Sequence, residues 1–161
     1  LSKRIYDDNP FPEIQRLTDE IQGRMKPGDG VAVFGSEPQV YFLLGAEAPS
    51  SHVFLAFLSS PHPKQQEMVR EFKTSIIEAE PRFVVFVRDG RSWAFRPGQS
   101  QELFAWCERY VTRNFRPILI GDMVRHSETR WVSEEEMMGY ELATPRIVVL
   151  YERIDQGNRE P

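Results

Sequence analysis

Short uninterrupted apolar runs, separated by segments of helical periodicity, constrain the fold of this chain more than any other feature. They occur at 31–34, 53–58, 83–87, 117–124 and 147–151. A strand buried on both faces of a sheet is continuously apolar, whereas a half-exposed strand alternates between apolar and polar residues. Each run is therefore predicted to be a buried strand.

The segments between these runs carry apolar residues at helical spacing. The first helix is predicted from Asn9 to Met25, and two later ones lie between the second, third and fourth strands. Ser36 with Gln39 three residues later, and Ser133 with Glu136, are capping-box patterns that predict two short helices, the first stopped by Gly45. Alternating strands and helices predict an α/β fold, specifically a Rossmann-like three-layer sandwich with a mostly parallel sheet of about five strands.

The length of 161 residues fits one domain, because a chain of this size buries roughly 70% of its surface in a single core. We expect one unit over 1–161, with its core at 9–153 and a frayed tail at 154–161. The chain begins at Leu1 and its first methionine is Met25, so we expect it to be a fragment of a longer protein.

Charge and composition exclude several partners and settings. The net charge is −4 and no nucleic-acid-binding motif is present, so nucleic acid is not an expected partner. Cys107 is the only cysteine, which rules out an internal disulfide. The apolar runs are far shorter than the roughly 18 residues of a transmembrane helix, so no span is predicted within the chain. Arginines at 82, 88, 91 and 96 suit phosphate or carboxylate partners, but a genome-wide coding bias toward arginine together with solvated faces is the favoured explanation.

Ligands of doubly wound folds bind at the carboxyl ends of the strands, which directs attention to three loops. A ligand crevice is expected among the polar and aromatic residues there: Gly35, Ser36, Glu37, Asp89, Arg91, Ser92, Trp93 and Asp122. The first loop lacks the glycine spacing of a dinucleotide fold and the lysine of a phosphate loop. Simple helix capping at Ser36, and ordinary loop chemistry with Trp93 packed on a helix, are the alternatives.

The sequence displays no catalytic constellation. Asp122, His126 and Glu128 are three potential metal ligands in one segment without a partner cluster elsewhere, so no metal is predicted. Cys107 lies on the apolar face of a predicted helix without a partner base, which favours core packing over nucleophilic chemistry. We predict no catalytic residue and no cofactor.

An ordered set of short motifs resembles the soluble C-terminal domain of bacterial membrane glycosyltransferases. These enzymes are similar to the protein mannosyltransferases and the aminoarabinose transferase of lipid A, which draw sugars from polyprenyl-phosphate donors. The resemblance covers roughly residues 9–151. Its residues are Gly35-Ser36-Glu37-Pro38-Gln39-Val40-Tyr41-Phe42, then Pro81-Arg82-Phe83-Val84-Val85, then Ser92-Trp93, and finally Trp106 with Tyr110.

The resemblance implies a non-catalytic domain at the extracytoplasmic face of the membrane. The family's catalytic carboxylate lies in a loop between early membrane helices, outside this chain. The expected partners are the transmembrane portion of the parent protein and a polyprenyl-phosphate sugar or acceptor. Two rival hypotheses remain, namely an independent Rossmann-like small-molecule or nucleotide-binding enzyme domain, and a pure protein-interaction module.

Overall fold

The computed structural model describes residues 10–96, 101–124 and 128–154. The predicted helix start at Asn9, the turn at 97–98 and the tail beyond 154 lie outside these residues. The helices are α1 (Phe11–Arg24), α2 (Gln39–Leu44), α3 (Leu55–Ser59), α4 (Gln65–Ala79) and α5 (Glu102–Asn114). The strands are β1 (Val31–Phe34), β2 (Phe83–Arg88), β3 (Phe115–Met123), β4 (Thr129–Ser133) and β5 (Ile147–Arg153).

The five strands form one mixed sheet in the order β1-β2-β5-β3-β4. Only β1 and β2 are parallel, and β5 lies antiparallel between β2 and β3. The predicted Rossmann-like sandwich with a mostly parallel sheet is therefore wrong. Continuous apolar runs report burial on both faces and carry no information on strand direction. In addition, only five residues separate β3 from β4, which allows an antiparallel pair but no parallel crossover.

Two local predictions also fail. The apolar run at 53–58 is not a strand but overlaps α3, in which Leu55 and Leu58 are buried three residues apart while Phe57 is 54% exposed. That is helical spacing. The helix predicted after Ser133 is a single 3-10 turn, Glu134–Glu136, although the capping box with Glu136 is present. Strand β4 was not predicted, because its polar residues at the edge of the sheet give no continuous apolar run.

Helices cover both faces of the sheet. Helices α1 and α2 pack on one face through Ile14, Leu17, Ile21 and Val40. Helices α3, α4 and α5 pack on the other through Leu55, Phe72, Cys107 and their neighbours. Burial raises the pKa of the Cys107 thiol well above its usual range, which suits core packing and not a reactive thiolate. In the part of the chain described, no helix combines the length and apolarity needed to cross a bilayer.

Gly121 in β3 allows the side chains of β4 and β5 to close over it. A Cβ at this position would lie 2.8 Å from Val148 Cγ2 and 2.9 Å from Trp131 Cζ3. We expect Gly121→Ala to lower the free energy of unfolding by about 1–3 kcal/mol, because the buried neighbours must shift. Urea denaturation measures this change. Gly23→Ala is the control, since its Cβ meets nothing within 4 Å and a helical alanine should stabilise α1 by about 0.5–1 kcal/mol. Equal stability of the two variants would contradict the steric argument.

Candidate functional site

Two loops meet at the carboxyl ends of β1 and β2. Because these strands are parallel neighbours, the segments that follow Phe34 and Arg88 emerge at the same edge of the sheet. They enclose a small polar pocket of about 220 Å³. Five predicted site residues line it, together with Pro10 and Gln39: Ser36, Glu37, Asp89, Arg91 and Ser92.

Two hydrogen bonds from Ser36 to Ser92, which we call the serine clasp, join the two loops. The Ser36 N–H donates to Ser92 Oγ at 2.9 Å, and the Ser36 hydroxyl donates to the Ser92 carbonyl at 2.6 Å. The Ala56 N–H donates to Ser36 Oγ at 2.9 Å, which adds α3 to the same junction. The pocket therefore has a wall fixed by three elements.

The serine clasp replaces the capping role predicted for Ser36. Helix α2 begins after Pro38, and no side-chain hydrogen bond caps it. Its predicted end at Gly45 is confirmed, because Gly45 occupies the left-handed region at φ 60°. The capping-box pattern was misleading because the Ser36 hydroxyl has a partner 56 residues away along the chain.

Gly35 is required by the close approach of two side chains. A Cβ at this position would lie 2.8 Å from Ser92 Oγ and still closer to Glu37 Oε2. The residue thus contributes space and not a functional group. Its role is to let the Glu37 carboxylate and the Ser92 hydroxyl meet beneath the loop.

Glu37 is a buried carboxylate at the edge of this pocket. Only 4% of the residue is exposed, and the Ser92 hydroxyl donates to Oε2 at 2.9 Å. Burial raises the pKa of Glu37 to about 7; the bonds from the Ser92 hydroxyl and the Ser36 backbone oppose this shift, and the charge of Asp89 adds to it. Across the three described ranges, no lysine, arginine or histidine pairs with this side chain.

Asp89, on the other side of the pocket, is fully compensated. Arg146 Nε donates to Oδ2 at 2.8 Å, and the Arg91 N–H and guanidinium donate at 3.0 and 3.3 Å. Burial alone would raise the pKa of Asp89, but these donors more than offset it and hold the pKa below its usual value. Arg146 was not predicted, because it reaches Asp89 only through the antiparallel position of β5 beside β2.

The other two predicted site residues are structural. Trp93 is fully buried, and its indole N–H donates to the Val87 carbonyl at 2.8 Å. Asp122 is fully buried on β3 and accepts hydrogen bonds from the Tyr140 hydroxyl at 2.8 Å, the Ala143 N–H at 2.7 Å and the Thr144 hydroxyl at 3.0 Å. Neither lines the pocket. The proposed metal partner His126 lies outside the described residues, within which no group of three potential ligands could hold a metal ion.

Three of the clustered arginines, Arg82, Arg88 and Arg91, bind carboxylates of the same chain. Arg82 contacts Asp29 at 2.6 Å and Glu152 at 2.9 Å, and Arg88 contacts Glu108 at 2.5 Å. Together with the Asp89 pairing of Arg91, these contacts show carboxylate recognition within the fold.

No protein-family model matches the chain, and no curated protein or solved structure matches it either. The function therefore has to be argued from the pocket and from the residues that carry the resemblance.

Proposed function

We propose that this chain is the non-catalytic extracytoplasmic domain of a membrane-embedded glycosyltransferase that uses a polyprenyl-phosphate sugar donor. The observation that carries the proposal is the convergence of the resembling residues. Ser36 binds Ser92 in the serine clasp, the Ser92 hydroxyl donates to Glu37, and Gly35 leaves the space in which they meet. Similarities that arose by chance at separate places in the chain would not be expected to form one structural unit.

An aromatic cluster extends the same unit beneath the pocket. Trp106 and Tyr110 stack with ring centroids 5.1 Å apart, and both contact Phe34 at the end of β1, at 6.2 and 6.0 Å. Such contacts are worth about 0.5–1.5 kcal/mol each beyond the burial of apolar area. They fix helix α5 against β1, the strand that leads into the first pocket loop. The resembling residues Trp106 and Tyr110 therefore pack beneath the strand that precedes the resembling residues Gly35 to Glu37.

The pocket suits assistance in binding and not bond cleavage. The polar side chains that line the pocket include the Glu37 carboxylate, which can accept hydrogen bonds from a sugar or an acceptor. The transfer chemistry itself belongs, on this proposal, to the membrane-embedded portion. The domain either holds a donor or acceptor group near the membrane-embedded portion or stabilises the membrane-embedded portion.

The nucleotide-binding alternative receives less support from the same loop. Phosphate sites use free backbone N–H groups at the start of a helix. Here the Ser36 N–H is already donated to Ser92, Pro38 has no N–H, and α2 has only six residues. No contact in the described chain specifically favours a protein-interaction module.

The proposal is tested in membranes that contain the full-length gene product. We expect the gene to encode hydrophobic spans before Leu1, and the full-length protein to transfer labelled sugar from a polyprenyl-phosphate donor. The isolated chain should transfer none, and removal of residues 10–154 from the parent should slow transfer. A gene without upstream spans, or transfer by the isolated chain alone, would disprove the proposal.

A further inference from the structure

Glu37 differs from three other buried acids of the described chain, Asp89, Asp122 and Glu152, in having neither a paired arginine nor three hydrogen-bond donors. Asp89 is paired with arginines, Asp122 accepts three hydrogen bonds, and Glu152 contacts Arg82 and Arg116. Glu37 receives a single side-chain hydrogen bond, from Ser92. A buried carboxylate with so few donors destabilises the fold, which indicates that its remaining acceptor capacity serves a ligand.

The charges around the pocket restrict the ligand class. A phosphate or carboxylate would be repelled by ionised Glu37 and would find the Ser36 N–H already engaged. An ammonium group would meet the guanidinium group of Arg91, which lines the pocket and already pairs with Asp89. A neutral group with several hydroxyls avoids both penalties, because hydroxyls donate to carboxylates and accept from guanidinium groups.

We propose that the pocket binds a single neutral sugar ring whose hydroxyl groups donate to the Glu37 carboxylate. The inference rests on the proposed function and adds the recognising group and the part of the donor or acceptor that is recognised. The pocket volume of about 220 Å³ is below the usual range for drug-sized ligands, which suits one ring and not a nucleotide. The serine clasp holds the carboxylate in place before the ligand arrives.

Binding is expected to depend on pH through Glu37. The charged groups that line the pocket with Glu37 are Asp89 and Arg91 from the loop after β2, and Arg146 from the segment before β5 binds Asp89. Asp89 has a pKa below its usual value and arginine side chains stay protonated, so Glu37 is the group that changes charge near neutral pH. Affinity for hydroxyl donors should therefore fall by about ten-fold per pH unit below pH 7.

The experiment titrates the chain by calorimetry with methyl glycosides of mannose, glucose, galactose and arabinose at pH 8.5 and 5.5. Inorganic phosphate and methylammonium chloride are the anionic and cationic probes. We expect saturable binding of at least one glycoside at pH 8.5, at least ten-fold weaker at pH 5.5, and no comparable binding of either ion. Glu37→Gln should weaken the glycoside at least ten-fold and remove the pH dependence, whereas the exposed control Glu67→Gln should change neither.

Three results would overturn the inference of sugar binding. Tighter binding of phosphate or methylammonium than of every glycoside, or no glycoside binding at pH 8.5, would overturn the inference. So would a glycoside whose affinity is the same in Glu37→Gln. If the gene still encodes upstream spans and the parent still transfers sugar, those results leave the proposed function standing. Urea denaturation of each variant confirms that it is folded.

Discussion

Replacing Trp93 by alanine should lower the free energy of unfolding by about 4 kcal/mol, as measured by urea denaturation. The indole is fully buried and packs against Phe86, Phe95 and Phe104, with ring centroids 4.9–6.0 Å away. Truncation opens a large cavity and also leaves the Val87 carbonyl without its indole donor. The next residue, Ala94, adopts a left-handed φ of 50°, so the turn is already under strain and cannot readily collapse into the space.

Two further substitutions separate packing from the hydrogen bond. Trp93→Phe keeps most of the apolar volume and should lower the free energy of unfolding by about 1–2 kcal/mol, through the lost bond to Val87. Phe42→Ala is the control, because Phe42 is 86% exposed and its loss should change stability by less than about 0.5 kcal/mol. A Trp93→Ala protein as stable as the Phe42→Ala protein would show that the indole is not part of the core.

The sequence pattern predicted where strands lie better than how they are arranged. The runs at 31–34, 83–87, 117–124 and 147–151 all coincide with strands. Their burial is encoded locally, because a continuously apolar strand must have both faces covered. The antiparallel position of β5 depends instead on contacts such as Phe83 with Glu152, which are distant in sequence and leave no local periodicity.

The candidate site was predictable to the extent that it depends on two adjacent parallel strands. Ser36, Glu37 and Ser92 meet because β1 and β2 end at the same edge. Trp93 and Asp122 do not line the pocket, and the sequence gives no sign of this, since loop residues with polar atoms look alike in sequence whether those atoms face solvent or an internal partner. The sequence also did not reveal that Glu37 has no counter-ion among the described residues, because this depends on which arginines bind Asp89 instead.

The buried Glu37 carboxylate should make this protein less stable as the pH rises towards neutrality. Its pKa is about 7 in the folded chain and near its usual value of 4.5 in the unfolded chain. Between these two pH values the unfolded chain loses the proton while the folded chain retains it. The free energy of unfolding should then fall by about 1.4 kcal/mol per pH unit, and level off above pH 7.

Glu37→Gln should therefore stabilise the protein by about 3 kcal/mol at pH 8 and change its stability little at pH 4.5. The glutamine amide is close in shape to the protonated acid and still accepts from the Ser92 hydroxyl, but it cannot ionise. Urea denaturation at several pH values measures the difference. The exposed substitution Glu67→Gln is the control, and its free energy of unfolding should vary with pH as the wild type's does. If the free energy of unfolding of Glu37→Gln instead varied with pH as the wild type's does, Glu37 would ionise in the folded protein without a cost in stability. Its burial would then give no reason to expect a ligand. A gain in stability that appears only at high pH would mean that the fold retains a destabilising charge at the pocket, as expected where a carboxylate is kept for binding and not for folding.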